Sequence, residues 1–112
     1  MTILRNIAPS VVLPLTDEVS YQPGQVVSKT LVQNASVSFT LFAFDRGEEI
    51  STHQAGGDAL VTVLDGVGQI TLDGIPHILR AGQSIVMPAQ TPHAVFGEER
   101  FKMSLLVVFP IS

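Results

Sequence analysis

Ala59-Leu60-Val61-Thr62-Val63-Leu64-Asp65-Gly66-Val67-Gly68-Gln69-Ile70-Thr71-Leu72-Asp73-Gly74 decides the fold class. Two short apolar runs, rich in β-branched residues, each end in Asp-Gly. Glycine accepts positive φ without steric cost, so Asp-Gly between apolar runs marks a tight hairpin. The same punctuation extends outward in both directions. Apolar runs Val26–Leu31, Ser36–Phe44, Ile50–His53, Ala59–Leu64, Gly68–Leu72, His77–Leu79, Ser84–Met87, His93–Phe96 and Lys102–Phe109 are expected as strands. Asp45-Arg46-Gly47, Asp65-Gly66, Asp73-Gly74 and Ala81-Gly82 are the expected turns between them. No stretch sustains a 3.6-residue apolar period, so the chain reads as all-β, a sandwich or closed barrel.

With 112 residues the chain fits one domain, and residues 1–24, poor in pattern and broken by prolines, read as an irregular arm before a barrel at 25–112. Hydrophobic residues make up 46% and charged residues 14%, which leaves little polar cover for so small a domain. The runs Val61–Leu64 and Leu105–Phe109 are apolar on both faces, so something must cover the outer face as well: a second sheet or another subunit. A homodimer is the expectation.

The formal charge of −4 and six scattered basic residues argue against nucleic acid, which needs clustered Lys and Arg. Without cysteine, disulfides and thiolate chemistry are excluded. Pro9 and Pro14 interrupt the apolar residues of the first fifteen, so neither a signal peptide nor a membrane span is expected, and a cytoplasmic location follows. Gly66-Val67-Gly68 lacks the third glycine of a dinucleotide loop, and Ser84 is no nucleophile elbow.

The chemistry therefore rests on His53, His77 and His93 and on their spacing. Gly47 is followed after five residues by His53, and Gly66 stands thirteen residues beyond His53. Gly82 is followed after five residues by Pro88, and His93 stands five residues beyond Pro88. This skeleton, covering about residues 36–109, resembles the two motifs of the cupin family. Gly57-Asp58-Ala59-Leu60-Val61, Val86-Met87-Pro88-Ala89, Thr91-Pro92-His93-Ala94 and Phe101-Lys102-Met103 resemble its small stand-alone bacterial members. The resemblance implies a double-stranded β-helix, a jelly-roll-like barrel, with its site at the mouth.

The resemblance is poor in the metal ligands. Where the family's first motif carries a second His and a Glu, this chain has Ala55 and Ala59. Where the second carries Gly and Asn, it has Gln90 and Gly97. Residues two apart on a strand share a face, so Ser51, His53 and Ala55 are expected to point one way, and Glu49 with them but too far along the chain. His53 and His93 are thus the candidate metal ligands, with Asp58 the nearest carboxylate for a third position. A divalent transition metal is the candidate cofactor. His77, beside Pro76 in a hairpin, reads as a surface or rim residue.

Two functions follow. One is a binding protein holding a small molecule in the barrel, against Ser51, His53, His93, Met87 and Met103; alanine enlarges a cavity as it removes coordination. The other is an enzyme, either a metal-dependent oxygenase or isomerase using His53 and His93, or a metal-free catalyst in which the two imidazoles act as acid and base.

Overall fold

A computed structural model of the chain describes residues 2–111. A short 3-10 turn, Leu15–Glu18, is followed by seven strands: β1 (Val26–Gln33), β2 (Val37–Phe44), β3 (Glu49–His53), β4 (Asp58–Leu72), β5 (Ile75–Arg80), β6 (Ser84–Met87) and β7 (His93–Val108). All are antiparallel, in the order β1-β2-β7-β4-β5, with β3 on β7 and β6 on β4.

β4 and β7, of 15 and 16 residues, form the spine, and each serves two sheets. The first half of β4 pairs with β6 and the second half of β7, which also pairs with β2. The second half of β4 pairs with β5 and the first half of β7, which also pairs with β3. The sheet thus folds over on itself and closes a core between its halves.

The fold turns at a corner where the sequence led us to expect a hairpin. The register of β4 against β7 slips between Val63 and Asp65 and again between Gly66 and Gly68. Gly66 sits there at φ 76°, and a Cβ on it would overlap the carbonyl of Arg100. Asp-Gly suits a glycine bulge as well as a tight turn, because both need one left-handed residue. At Asp73-Gly74 the chain does reverse, with φ 48° and 82°, and β5 returns along β4. Val67–Gly68 therefore continues a strand already begun, and Phe96–Lys102 likewise runs through as one strand. Gly68 lies under the Phe101 ring, where a Cβ would meet the ring carbons.

The core follows from alternation. Ala59, Val61 and Val63 face inward with Met87, Ile70, Val95, Phe101, Met103 and Val107. Phe44 and Phe101 stack at 4.6 Å between centroids and fill one end. Leu41 and Ala43 of β2 face the other way, onto Leu31 and Val19. The two-sided apolar pattern thus has a third answer: part of the outer face is covered by the chain's own first residues, with Ile7, Leu15 and Tyr21 packed there.

Polar contacts pin this arm to the corner. The Tyr21 hydroxyl donates to Asp65 at 2.6 Å, and burial, with Asp65 beside it, pushes its phenol well above the ordinary value. Asp45 accepts from the Gly24 amide at 2.7 Å and from Arg100 Nε at 2.9 Å. Those bonds, the Gly24 amide foremost, pull the Asp45 carboxyl down to about 2. Lys102 Nζ donates to the Thr16 carbonyl at 2.5 Å. Among the described residues no helix is long and apolar enough to cross a membrane.

Candidate functional site

β3 ends at His53 and β7 begins at His93, and the two residues are register partners. What aims them at each other is an irregularity in β3. Ile50 pairs with Val95 and His53 with His93, three residues against two, so a bulge lies between them. Directly paired residues share a face, so Ile50 and His53 both turn inward. The simple alternation that grouped Ser51 and Glu49 with His53 fails at this bulge; Glu49 pairs instead with Phe96.

The rings meet at 4.1 Å between centroids and 67° between planes, with His53 Nε2 2.9 Å from His93 Nε2. Each Nδ1 is tied to a carbonyl two residues back: His53 to Ser51 at 2.9 Å, His93 to Thr91 at 3.1 Å. A carbonyl only accepts, so both Nδ1 atoms carry hydrogen. Both Nε2 atoms then turn their ring edges to one point at the mouth, where a hydrogen-bonding group or a cation would meet the two together.

Burial decides the roles within the pair. His93 is 4% exposed while His53 is open to solvent. Burial pushes the His93 imidazolium below its ordinary value; the Thr91 carbonyl partly offsets this, and the charge of His53 adds to it. His93 is accordingly held towards its neutral form, donating from Nδ1 to the Thr91 carbonyl with Nε2 turned to His53. Unfolded, His93 takes up a proton as pH drops through about 6.5; folded, it does so only at lower pH. Its contribution to stability is complete above that value and is lost as pH falls below it. Urea unfolding between about pH 7.5 and 5 should show this loss, and His93→Gln should remove the His93 part of it. An unchanged wild-type midpoint across that range would contradict the assignment. The Asp45 contribution lies in a separate window, present above about 4 and lost towards about 2.

The loop between β6 and β7 is fixed on both sides. Ala89 donates to Asp58 Oδ1 at 2.8 Å, Gln90 donates to the Ala55 carbonyl at 2.9 Å, and Asp73 donates to the Pro92 carbonyl at 2.8 Å. Gln90 adopts φ 66°, the conformation for which the family motif uses glycine. Asp58 is therefore a loop tether in this structure. His77 is half-buried opposite Ile70.

Of the other candidates, Met87 and Met103 are 2% and 1% exposed in the inner cluster. Met87 pairs with Ala59 and leads into the His93 loop, so it lies at the mouth; Met103 pairs with Val63, deeper in. Ser51 contributes its carbonyl. Sequence reasoning missed Thr91, whose carbonyl orients His93, and Leu72, the register partner of His93 on β4. Neither contribution leaves a signal in residue type: one is a backbone atom and the other a cross-strand neighbour.

The donor set fits half of a metal centre. Two ligands on adjacent positions of one ion, at ~2.0–2.1 Å, stand ~3 Å apart, close to the observed Nε2 separation. Among the described residues, however, no group of three or more His, Cys, Asp or Glu is placed to hold an ion. Zinc and non-haem iron centres take three protein ligands. His53 and His93 supply two of the three protein ligands that such a centre takes.

The closed antiparallel barrel with its histidines at the mouth is a cupin architecture. The chain belongs to the cupin family, whose domain model matches residues 40–109. A conserved protein of unknown function from Streptococcus pyogenes has a crystal structure with TM-score 0.97 and 44% identity, covering 100% of this chain and 98% of that one. A cupin superfamily protein from Desulfitobacterium hafniense superposes with TM-score 0.91 at 33% identity, over 96% of this chain and 98% of its own. Among curated proteins, dimethylsulfoniopropionate lyase DddW of Ruegeria pomeroyi is 26% identical over 98 residues, 82% of this chain. The chain spans 64% of that relative's length.

Proposed function

We propose that this protein binds a small molecule at the barrel mouth, with the His53–His93 pair as its polar contact. The observation that carries this reading is the convergence of the two Nε2 atoms at 2.9 Å, with alanine at both places where further donors would stand. Ala59, flanked by Met87 and Val107, leaves an apolar wall beside the imidazoles. Leu72 and Ile50, half-buried on the same cluster, extend it. Small-molecule sites share this composition, apolar walls with a few placed polar groups.

The two convergent imidazole edges suit an acid ligand, since a carboxyl group seated there accepts from an Nε2–H or donates its own hydrogen to a bare Nε2. The lyase relative acts on dimethylsulfoniopropionate, itself a carboxylate, which supports an acid ligand here. Calorimetry with a panel of short aliphatic and aromatic carboxylates, each beside its neutral amide, tests the class. Binding confined to the acids is expected; amides that bind as well as their acids would contradict it.

The competing reading is a metal-dependent enzyme of the oxygenase or isomerase class. The bare Nε2 edges favour it, since a cation is the other way to occupy them. His53 and His93 would hold the ion, which would supply Lewis acidity, and the remaining positions would fall to water and substrate.

A further inference from the structure

Directly paired residues on neighbouring strands share a face, so the strand register shows what else lines the inside of the barrel. Val107, Ala59 and Met87 form an inward row across β7, β4 and β6, and Ser38 of β2 completes it. One row deeper, Leu105, Val61 and Ile85 point inward, and Thr40 completes that row. Along β2, Phe42 and Phe44 carry the same face on into the core. Two hydroxyls thus end a face whose other members are apolar.

Thr40 is 8% exposed, and its Oγ1 meets Thr30 Oγ1 at 3.5 Å, well beyond the ~2.7–2.8 Å of a full hydroxyl bond. A buried polar group is costly unless a partner meets it closely, so this hydroxyl has bonding capacity to spare. Ser38 lies next to it on the same face, half-buried and nearer the mouth. Both stand across the barrel from the histidines. β2 flanks the second half of β7 and β3 the first half, and the chain passes between them at the corner, where Gly47 donates to the Gly97 carbonyl at 2.8 Å. As β7 folds over there, β2 and β3 come face to face, and Phe42 and Ile50 pack on one inner cluster. The next inward positions away from the corner are Thr40 and Ser38 on one side and His53 on the other.

We propose that Ser38 and Thr40 are the second polar contact of the ligand site, and that the ligand is a short hydroxy acid with its carboxyl group at the histidine pair and its hydroxyl on β2. This rests on the acid reading of the pair and adds the other end of the molecule. A hydroxyl both donates and accepts, so it can exchange hydrogen bonds with serine and threonine in either direction. No charged side chain stands in the two rows that carry Ser38 and Thr40, so a second ionic group would find no counter-charge there. The ligand is therefore a monoacid. Packed sheets lie ~10 Å apart, and inward side chains fill part of that gap, so only a few carbons separate carboxyl from hydroxyl.

Calorimetry of the full chain with two probe pairs, 3-hydroxybutyrate beside butyrate and lactate beside propionate, is the test. In at least one pair the hydroxy acid should bind about 3- to 10-fold more tightly, the range of a neutral hydrogen bond. Ser38→Ala alone, at the half-buried position, should lower that ratio. Ser38→Ala with Thr40→Val should bring it to about one while the plain acids keep their affinity, since valine replaces the threonine hydroxyl by a methyl of similar size. Thr40→Ser, which keeps the hydroxyl, should retain the preference. Ser104, 8% exposed on the outward face between Leu41 and Thr62, is the control, and Ser104→Ala should leave the ratio unchanged. Equal binding of both acids in both pairs overturns the proposal and leaves the acid reading standing. A preference that survives loss of both hydroxyls, or that Ser104→Ala removes as well, overturns it too. Binding of none of the four acids would defeat the acid reading itself, and this inference with it.

Discussion

Gly66→Ala should lower stability by about 3 kcal/mol, a large part of the ~5–15 kcal/mol that holds a domain of this size. Two costs add. A non-glycine residue at φ 76° carries the left-handed penalty, about 1–2 kcal/mol. The new methyl also runs into the Arg100 carbonyl, backbone of the partner strand that cannot rotate aside. Forcing such an overlap costs about 1–3 kcal/mol. The melting temperature should fall by about 10–20 °C. Gly82→Ala is the control: its φ is 89° but nothing lies within 4 Å of a Cβ there, so only the first cost applies. Thermal unfolding of both variants separates the terms. Equal losses would mean that the corner of β4 is not held by close approach of the two backbones.

The same glycine marks how far the fold was legible. Asp65-Gly66 and Asp73-Gly74 are chemically alike, and local sequence reads both as hairpins. One is a hairpin and the other a bulge because β7 lies opposite the first, a long-range pairing that no local pattern encodes. The glycine and proline spacing was legible, since turns at Gly47, Gly82 and Pro88 depend on local φ and on the absence of an amide proton. Ser51 was placed on the His53 face by alternation, a rule that one extra residue in β3 interrupts. The cover of the outer face was read as a sheet or subunit, while residues 1–24 looked unpatterned. Val19, Leu15 and Ile7 meet the sheet from an irregular backbone, so no period reveals them.

Both His53→Ala and His93→Ala should weaken carboxylate binding by about 10- to 100-fold, through loss of a charge-assisted bond worth about 1.5–3 kcal/mol. They should differ in their effect on the fold. His53 is exposed, and its loss frees the Ser51 carbonyl and the His93 Nε2 edge at the mouth, both of which water can satisfy. His93 is buried, so its removal also leaves a cavity and an unpaired Thr91 carbonyl. A loss of about 2–3 kcal/mol in stability is expected for His93→Ala and under about 1 kcal/mol for His53→Ala. Calorimetry and urea unfolding on the same preparations read the two effects. Binding unchanged in either variant would remove the pair from the site.

The sharpest division between a binding protein with a half-retained histidine site and a metalloenzyme is metal content. Protein purified without chelator, from cells supplied with iron, manganese, zinc, nickel and copper, should carry far less than one equivalent of any of them. What trace it carries should not depend on His53 and His93 together. Near-stoichiometric metal that disappears in both His53→Ala and His93→Ala would contradict the account and establish the metal-dependent reading in its place.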